Sequence, residues 1–305
     1  MKALLTLAMK GRGQAVMAIV VSAMLALLIS PLSIVSNGLV VLATLRNGPR
    51  EGLLVVVLSA AAMAVLGGLI FRAPQVLGLL GLMAWLPAWG LATVLGRSGS
   101  LARTLEVAAV LGMLVVAAQY LWLGDPAAFW GGLLQEYMQA SWDPAVIPEA
   151  EQRALLHQLS TWMPGGIGAV WTLSMALAVF FARWGQALLA EPGAFGREFR
   201  QLRVSRPWLV VLPLLLVGGM FGEGPGLVGQ LYVVVMVLFL LQGLSMAHAL
   251  VTGAGASRGW LFGLYFLLIV GLPHSMTALA AAGYIDGWLD FRARLRGGGS
   301  PSGPE

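Results

Sequence analysis

The chain contains no cysteine. Disulfides, thiolate nucleophiles and Cys-ligated metal centres are therefore excluded together. Charge is also scarce. Asp, Glu, Lys and Arg make up 10% of the 305 residues, against roughly a quarter in soluble proteins. There are three histidines, and no P-loop, HExxH, His/Asp metal spacing or dinucleotide fingerprint occurs anywhere. ATP-driven work by this chain alone is excluded, no cofactor is expected, and the chain reads as a non-enzyme.

What is present is hydrocarbon. Hydrophobic residues reach 59% and run along almost the whole length, which leaves no room for a large soluble domain. The expected fold is all-α, a polytopic transmembrane helical bundle forming one integral domain over residues 1–296. The apolar runs are 14–30, 32–45, 52–71, 75–96, 105–123, 165–181, 208–221, 227–251, 260–272 and 276–288. They amount to about ten membrane segments, with eight full crossings plus re-entrant pieces as the competing count. Lys2, Lys10 and Arg12 before the first run resemble a signal peptide, but no small-residue cleavage site and polar domain follow, so the run reads as a membrane segment. Pro31 splits the first hairpin. Its second half spans only about 21 Å, short of a hydrocarbon core of about 30 Å. The break gathers Ser33, Ser36 and Asn37, where irregular backbone is tolerated only against protein or a water-filled cavity. Pro273 likewise divides the last apolar stretch in two.

The net charge is +5, but nucleic acid is not the expected partner, because the arginines sit in short loops without aromatic stacking platforms. Membrane lipid is the expected surroundings, and basic loops face the cytoplasm. Residues 187–206, following Arg183, carry Arg197, Arg200, Arg203 and Arg206 against Glu191 and Glu198. Both termini are placed on that cytoplasmic side of a bacterial inner membrane. Phe195, Phe199 and Leu202 make Ala194–Arg203 a basic amphipathic helix, and Arg197, Arg200 and Arg203 are its candidate partner-binding residues. Residues 124–164 are acidic and rich in aromatics, as expected of an extracytoplasmic segment: a solvated loop with interfacial tryptophans, or a lid over an external opening. Residues 297–305 are Gly, Ser and Pro-rich and are expected to be disordered.

Polar groups inside apolar helices mark candidate sites, because each needs a partner in hydrocarbon. Gln242, Ser245 and His248 step by three, which spreads them over about 120° of one helix face. With His274, Thr277 and Asn37 they are the candidate ligand-binding residues of a polar pocket; the alternative is that each bonds a backbone carbonyl. A Ser245/His274 protease dyad is disfavoured, since nothing supplies an oxyanion hole. Asp286 and Asp290 read as a helix end, with Asp290 pairing to Arg294 four residues on, or as a coupling carboxylate pair if they face inward. Gly255, Gly259 and Gly263 lie four apart, as do Gly218, Gly222 and Gly226, and the first set is the expected close-packing groove.

Four strings carry a resemblance: Phe181 to Leu189, Gly196 to Arg203, Gly243 to His248, and Gly283 to Arg292. Together with Leu45 to Gly48 they resemble the YybS-like family of uncharacterised bacterial multi-pass membrane proteins, over most of the chain. That family is thought to be distantly similar to the substrate-binding membrane subunits of energy-coupling-factor transporters. The resemblance implies a small-molecule pocket open to the outside and, in some cases, a separate cytosolic ATPase partner. The expected function is that of a transporter-like protein binding a small solute. The alternative is a non-transporting scaffold or regulator docking a cytosolic or envelope partner.

Overall fold

The computed structural model describes residues 6, 10–139, 148–221, 225–257 and 259–292. Among these residues there are twelve helices and no strand. They are α1 Arg12–Ala26, α2 Leu32–Asn47, α3 Pro49–Phe71, α4 Pro74–Ser98, α5 Leu101–Leu123, α6 Pro126–Gln139, α7 Glu149–Ala190, α8 Ala194–Phe199, α9 Arg206–Gly218, α10 Gly226–Gly253, α11 Gly259–Val270 and α12 His274–Leu289. Helices α3, α4, α5, α7 and α10 are long and apolar enough to cross a membrane; α1, α2, α9 and α11 are apolar but shorter. Large apolar side chains such as Leu28, Leu69, Leu121, Trp122 and Phe262 stand on the outside, as in a bundle surrounded by lipid tails. The molecule fits a multi-pass membrane protein.

Every apolar run of the sequence lies within or largely overlaps a helix, and proline and glycine set most of the joints. Gly48 sits at φ 88, a left-handed value natural to glycine, and Pro49 then opens α3. The expected breaks at Pro31 and Pro273 are present, each followed at once by a new helix. Pro164, the end of the expected extracytoplasmic segment, lies inside a helix instead, since α7 continues through it for 42 residues. The reason is an outside amide. Gln230 of α10 accepts the Gly165 N–H at 2.7 Å and donates to the Thr161 carbonyl at 2.5 Å. It thereby replaces, from the side, the ladder bond that the proline kink opens. The expected amphipathic helix at Ala194–Arg203 is also shorter than its pattern, ending at Phe199.

The chain divides into two compact units. The first takes Met1–Ala108 and Leu173–Leu202, the second Ala109–Thr172 and Arg203–Glu305. In the first unit α1 to α4 pack mutually, and Trp85, Leu39, Val40, Leu42 and Leu91 fill the core. Arg12 joins Glu51 at 2.5 and 2.6 Å, pinning α1 to the start of α3. Phe195 and Phe199 rest on Phe180 with ring centroids 5.7 and 5.3 Å away, so the apolar face of α8 is used on α7.

In the second unit α10 is the axis, packed on α9, α11 and α12. Close approach falls at Gly243 and Gly283: a Cβ on Gly283 would run into the Phe239 carbonyl oxygen and lie 2.6 Å from the Gly243 nitrogen. Backbone meets backbone here. The expected groove at Gly255, Gly259 and Gly263 is not a helix contact, because Gly255 and Gly263 have nothing within 4 Å of such a Cβ; Gly255 instead serves the turn after α10, at φ 62. Gly283→Val is expected to destabilise the protein by at least about 1–3 kcal/mol through overpacking, whereas Gly263→Val leaves it unchanged. Thermal unfolding of the two variants side by side checks this.

Candidate functional site

Gln230, Gln242 and Ser245 of α10 are buried, and the protein itself occupies them. Gln242 accepts the Val204 N–H at 2.7 Å and donates to the Gly283 carbonyl at 2.8 Å, clasping the segment before α9 and helix α12 to α10. Ser245 accepts from Arg292 Nη1 at 3.2 Å. His248 is half-buried; its Nδ1 lies 2.9 Å from the Leu244 carbonyl and its Nε2 lies 3.4 Å from the Tyr265 hydroxyl. His274 and Thr277 are exposed at the start of α12, where Thr277 donates to the Pro273 carbonyl at 3.3 Å. These residues share one unit.

Beside Ser245 lies the most deeply buried charge pair among the described residues. Asp286 and Arg292 are joined at 2.9 Å with side chains 0% and 2% exposed. The geometry follows from the end of α12. Asp290 stops the helix in a left-handed conformation, φ 46, which Asp tolerates better than most residues. Two residues on, Arg292 reaches Asp286 and Ser245. Burial pushes the Arg292 guanidinium down from its ordinary value while Asp286 acts against this; a guanidinium nonetheless stays charged in proteins. Asp286 Oδ1 is buried and accepts no hydrogen bond among the described residues.

The basic surface residues are largely committed. Arg197 pairs with Glu191, and Arg183 pairs with Glu198 at 2.7 Å. Arg203 grips Asp290 with both nitrogens, and this hydrogen bonding holds its guanidinium above the usual value, with desolvation working the other way. Arg200 is half-buried. The Asp290 partner expected from spacing, Arg294, lies outside the described residues, as does the tail 297–305.

Asn37 differs from the others. It belongs to the first unit, the sixth residue of α2 after the break at Pro31, and only 5% of its surface is exposed. Its amide makes no hydrogen bond among the described residues. It faces a cavity of about 130 Å³ shared with Ser33, Ser36, Met63, Leu77 and Trp85. Its polar neighbours are already satisfied. Ser36 donates to the Ile19 carbonyl at 2.9 Å and accepts from Trp85 Nε1 at 3.0 Å, and Ser33 donates to the Ser30 carbonyl at 2.7 Å. Two donors and an acceptor of Asn37 are thus presented to the cavity, and no charged side chain lines it.

Sequence reasoning missed Gln230 and the inward turn of Asp286 and Arg292. A lone amide in the run 227–251 is the same signal that marks Gln242. Nothing in the spacing ties Gln230 to Pro164. Among the described residues no group of three or more His, Asp or Glu is placed to hold a metal ion. Comparison of this chain with protein-family models, with curated proteins and with solved structures finds no match.

Proposed function

We propose that this chain is a transporter-like protein of the bacterial inner membrane that binds a small neutral solute, or the neutral polar end of a larger one, at Asn37. The observation that carries this is Asn37, only 5% exposed as a residue, whose amide has no hydrogen-bond partner among the described residues and faces a cavity in the unit that holds the broken first hairpin. A ligand that completes its hydrogen bonds gains about 0.5–1.5 kcal/mol for each. The cavity volume corresponds to about four waters, well below the 300 Å³ or more of a drug-sized pocket, so the bound group has only a few heavy atoms. With no charge in the lining, recognition rests on amide, hydroxyl or carbonyl chemistry.

Of the candidate pocket residues, Gln242 and Ser245 are engaged by the protein itself, and the reading rests on Asn37 alone. Docking through Arg197, Arg200 and Arg203 has less support, since Arg197 and Arg203 are held by Glu191 and Asp290. Asn37→Leu tests the reading through stability. The solute-free variant is expected to unfold at a higher temperature than wild type, because a polar amide facing the cavity without a protein partner among the described residues is exchanged for an apolar side chain of similar size. A lower unfolding temperature would mean that Asn37 is a structural residue.

A further inference from the structure

In the second unit, helix α6 and the first half of α7 enclose a cleft of about 450 Å³. Its walls carry opposite charges. Asp125 stands just before α6, lines the cleft and accepts the Ala128 N–H at 3.0 Å through Oδ1, so Oδ2 is not used in that bond. Arg153 and His157 stand one turn apart on the same face of α7. Arg153 makes one long bond, from Nε to the Glu149 carbonyl at 3.4 Å, and joins no ion pair among the described residues. The His157 ring has no hydrogen-bond partner among them either. Asp125 and Arg153 line one cleft without pairing across it. The floor is kept open by small residues, and a Cβ at Gly132 would meet nothing within 4 Å.

We infer that this cleft binds a small zwitterion, its anionic oxygens held by the Arg153 fork and the His157 ring and its ammonium by Asp125. A guanidinium presents parallel N–H donors to carboxylate or phosphate. A carboxylate on the opposite wall favours a ligand that also bears a positive group and selects against a simple anion. Two sources carry this chemistry: a free amino-acid-like solute and the headgroup of a zwitterionic phospholipid. The site is independent of the Asn37 cavity and does not rest on it.

The test uses the full chain in nanodiscs of phosphatidylglycerol, with glycine and phosphoethanolamine as soluble probes in calorimetric titration. Lipid retention from mixed phosphatidylethanolamine and phosphatidylglycerol is read in parallel by native mass spectrometry. Saturable binding of a soluble probe identifies a free solute. Selective retention of phosphatidylethanolamine without soluble binding identifies the headgroup. In either case Arg153→Gln and the cleft-filling Gly132→Phe reduce binding at least tenfold while unfolding at the wild-type temperature. Asp125→Asn, which keeps the helix cap, erases the preference for phosphoethanolamine over methyl phosphate. The inference is overturned by absence of both soluble binding and selective retention, or by binding that survives in Gly132→Phe and Arg153→Gln.

Discussion

Asp286→Ala is expected to destabilise the protein by about 3–5 kcal/mol, because it leaves the Arg292 guanidinium buried without its counter-charge. Arg292→Met acts in the same direction, stranding a carboxylate whose side chain is wholly buried. The double replacement Asp286→Leu with Arg292→Met is expected to recover most of the loss, since a buried ion pair exchanged for packed apolar groups is often neutral or better. Unfolding of the four proteins in a mixed-micelle denaturation series gives the complete cycle. Small and additive losses in the two single variants would show that the pair is hydrated and does not hold α12 to α10. The pair also fixes the turn after Asp290, so the Arg203 to Asp290 contact is expected to weaken in the single variants.

Gln230→Leu removes two hydrogen bonds at once and exposes what Pro164 does to α7. The Gly165 N–H and the Thr161 carbonyl lose their shared partner, at about 1–3 kcal/mol for each buried group left unpaired. The ring of Pro164 hinders the straightening that would let them find each other. The expected result is a lower unfolding temperature together with faster amide hydrogen exchange at Gly165, confined to the middle of α7. An unchanged melt with unchanged exchange would mean that the helix closes its own ladder and that the glutamine is dispensable. A β-carbon at Gly165 would run into the Gln230 amide oxygen, so Gly165→Ala is expected to show a milder form of the same phenotype.

Much of the fold is legible because hydrocarbon runs and their proline and glycine joints are local signals. The α1 to α2 break follows from Pro31 and from a second run too short to span, and the split between α11 and α12 follows from Pro273. Pro164 carries the same local signal with the opposite outcome, because Gln230, 65 residues beyond Gly165, takes up the N–H that the proline leaves open. Asn37 is legible for the same reason as the break beside it: a polar residue where backbone is interrupted in an apolar hairpin. Gln242 is legible as a buried polar group, but its use is not, since its partners Val204 and Gly283 lie about forty residues to either side, 38 and 41 away. Asp290 likewise finds Arg203, 87 residues distant, a pairing that helical spacing cannot reveal. The glycine groove is misplaced because four-residue spacing assumes one continuous helix, whereas Gly255 ends α10 and Gly259 begins α11.

The central claim is that Asn37 holds a small neutral ligand, and native mass spectrometry of wild type beside Asn37→Leu addresses it directly. Gentle release from native-lipid nanodiscs is expected to show wild type carrying a small molecule that collisional activation removes and that is missing from the variant. Identical spectra for the two proteins, with no small molecule bound to wild type or with the same one retained by both, would contradict a binding site at Asn37.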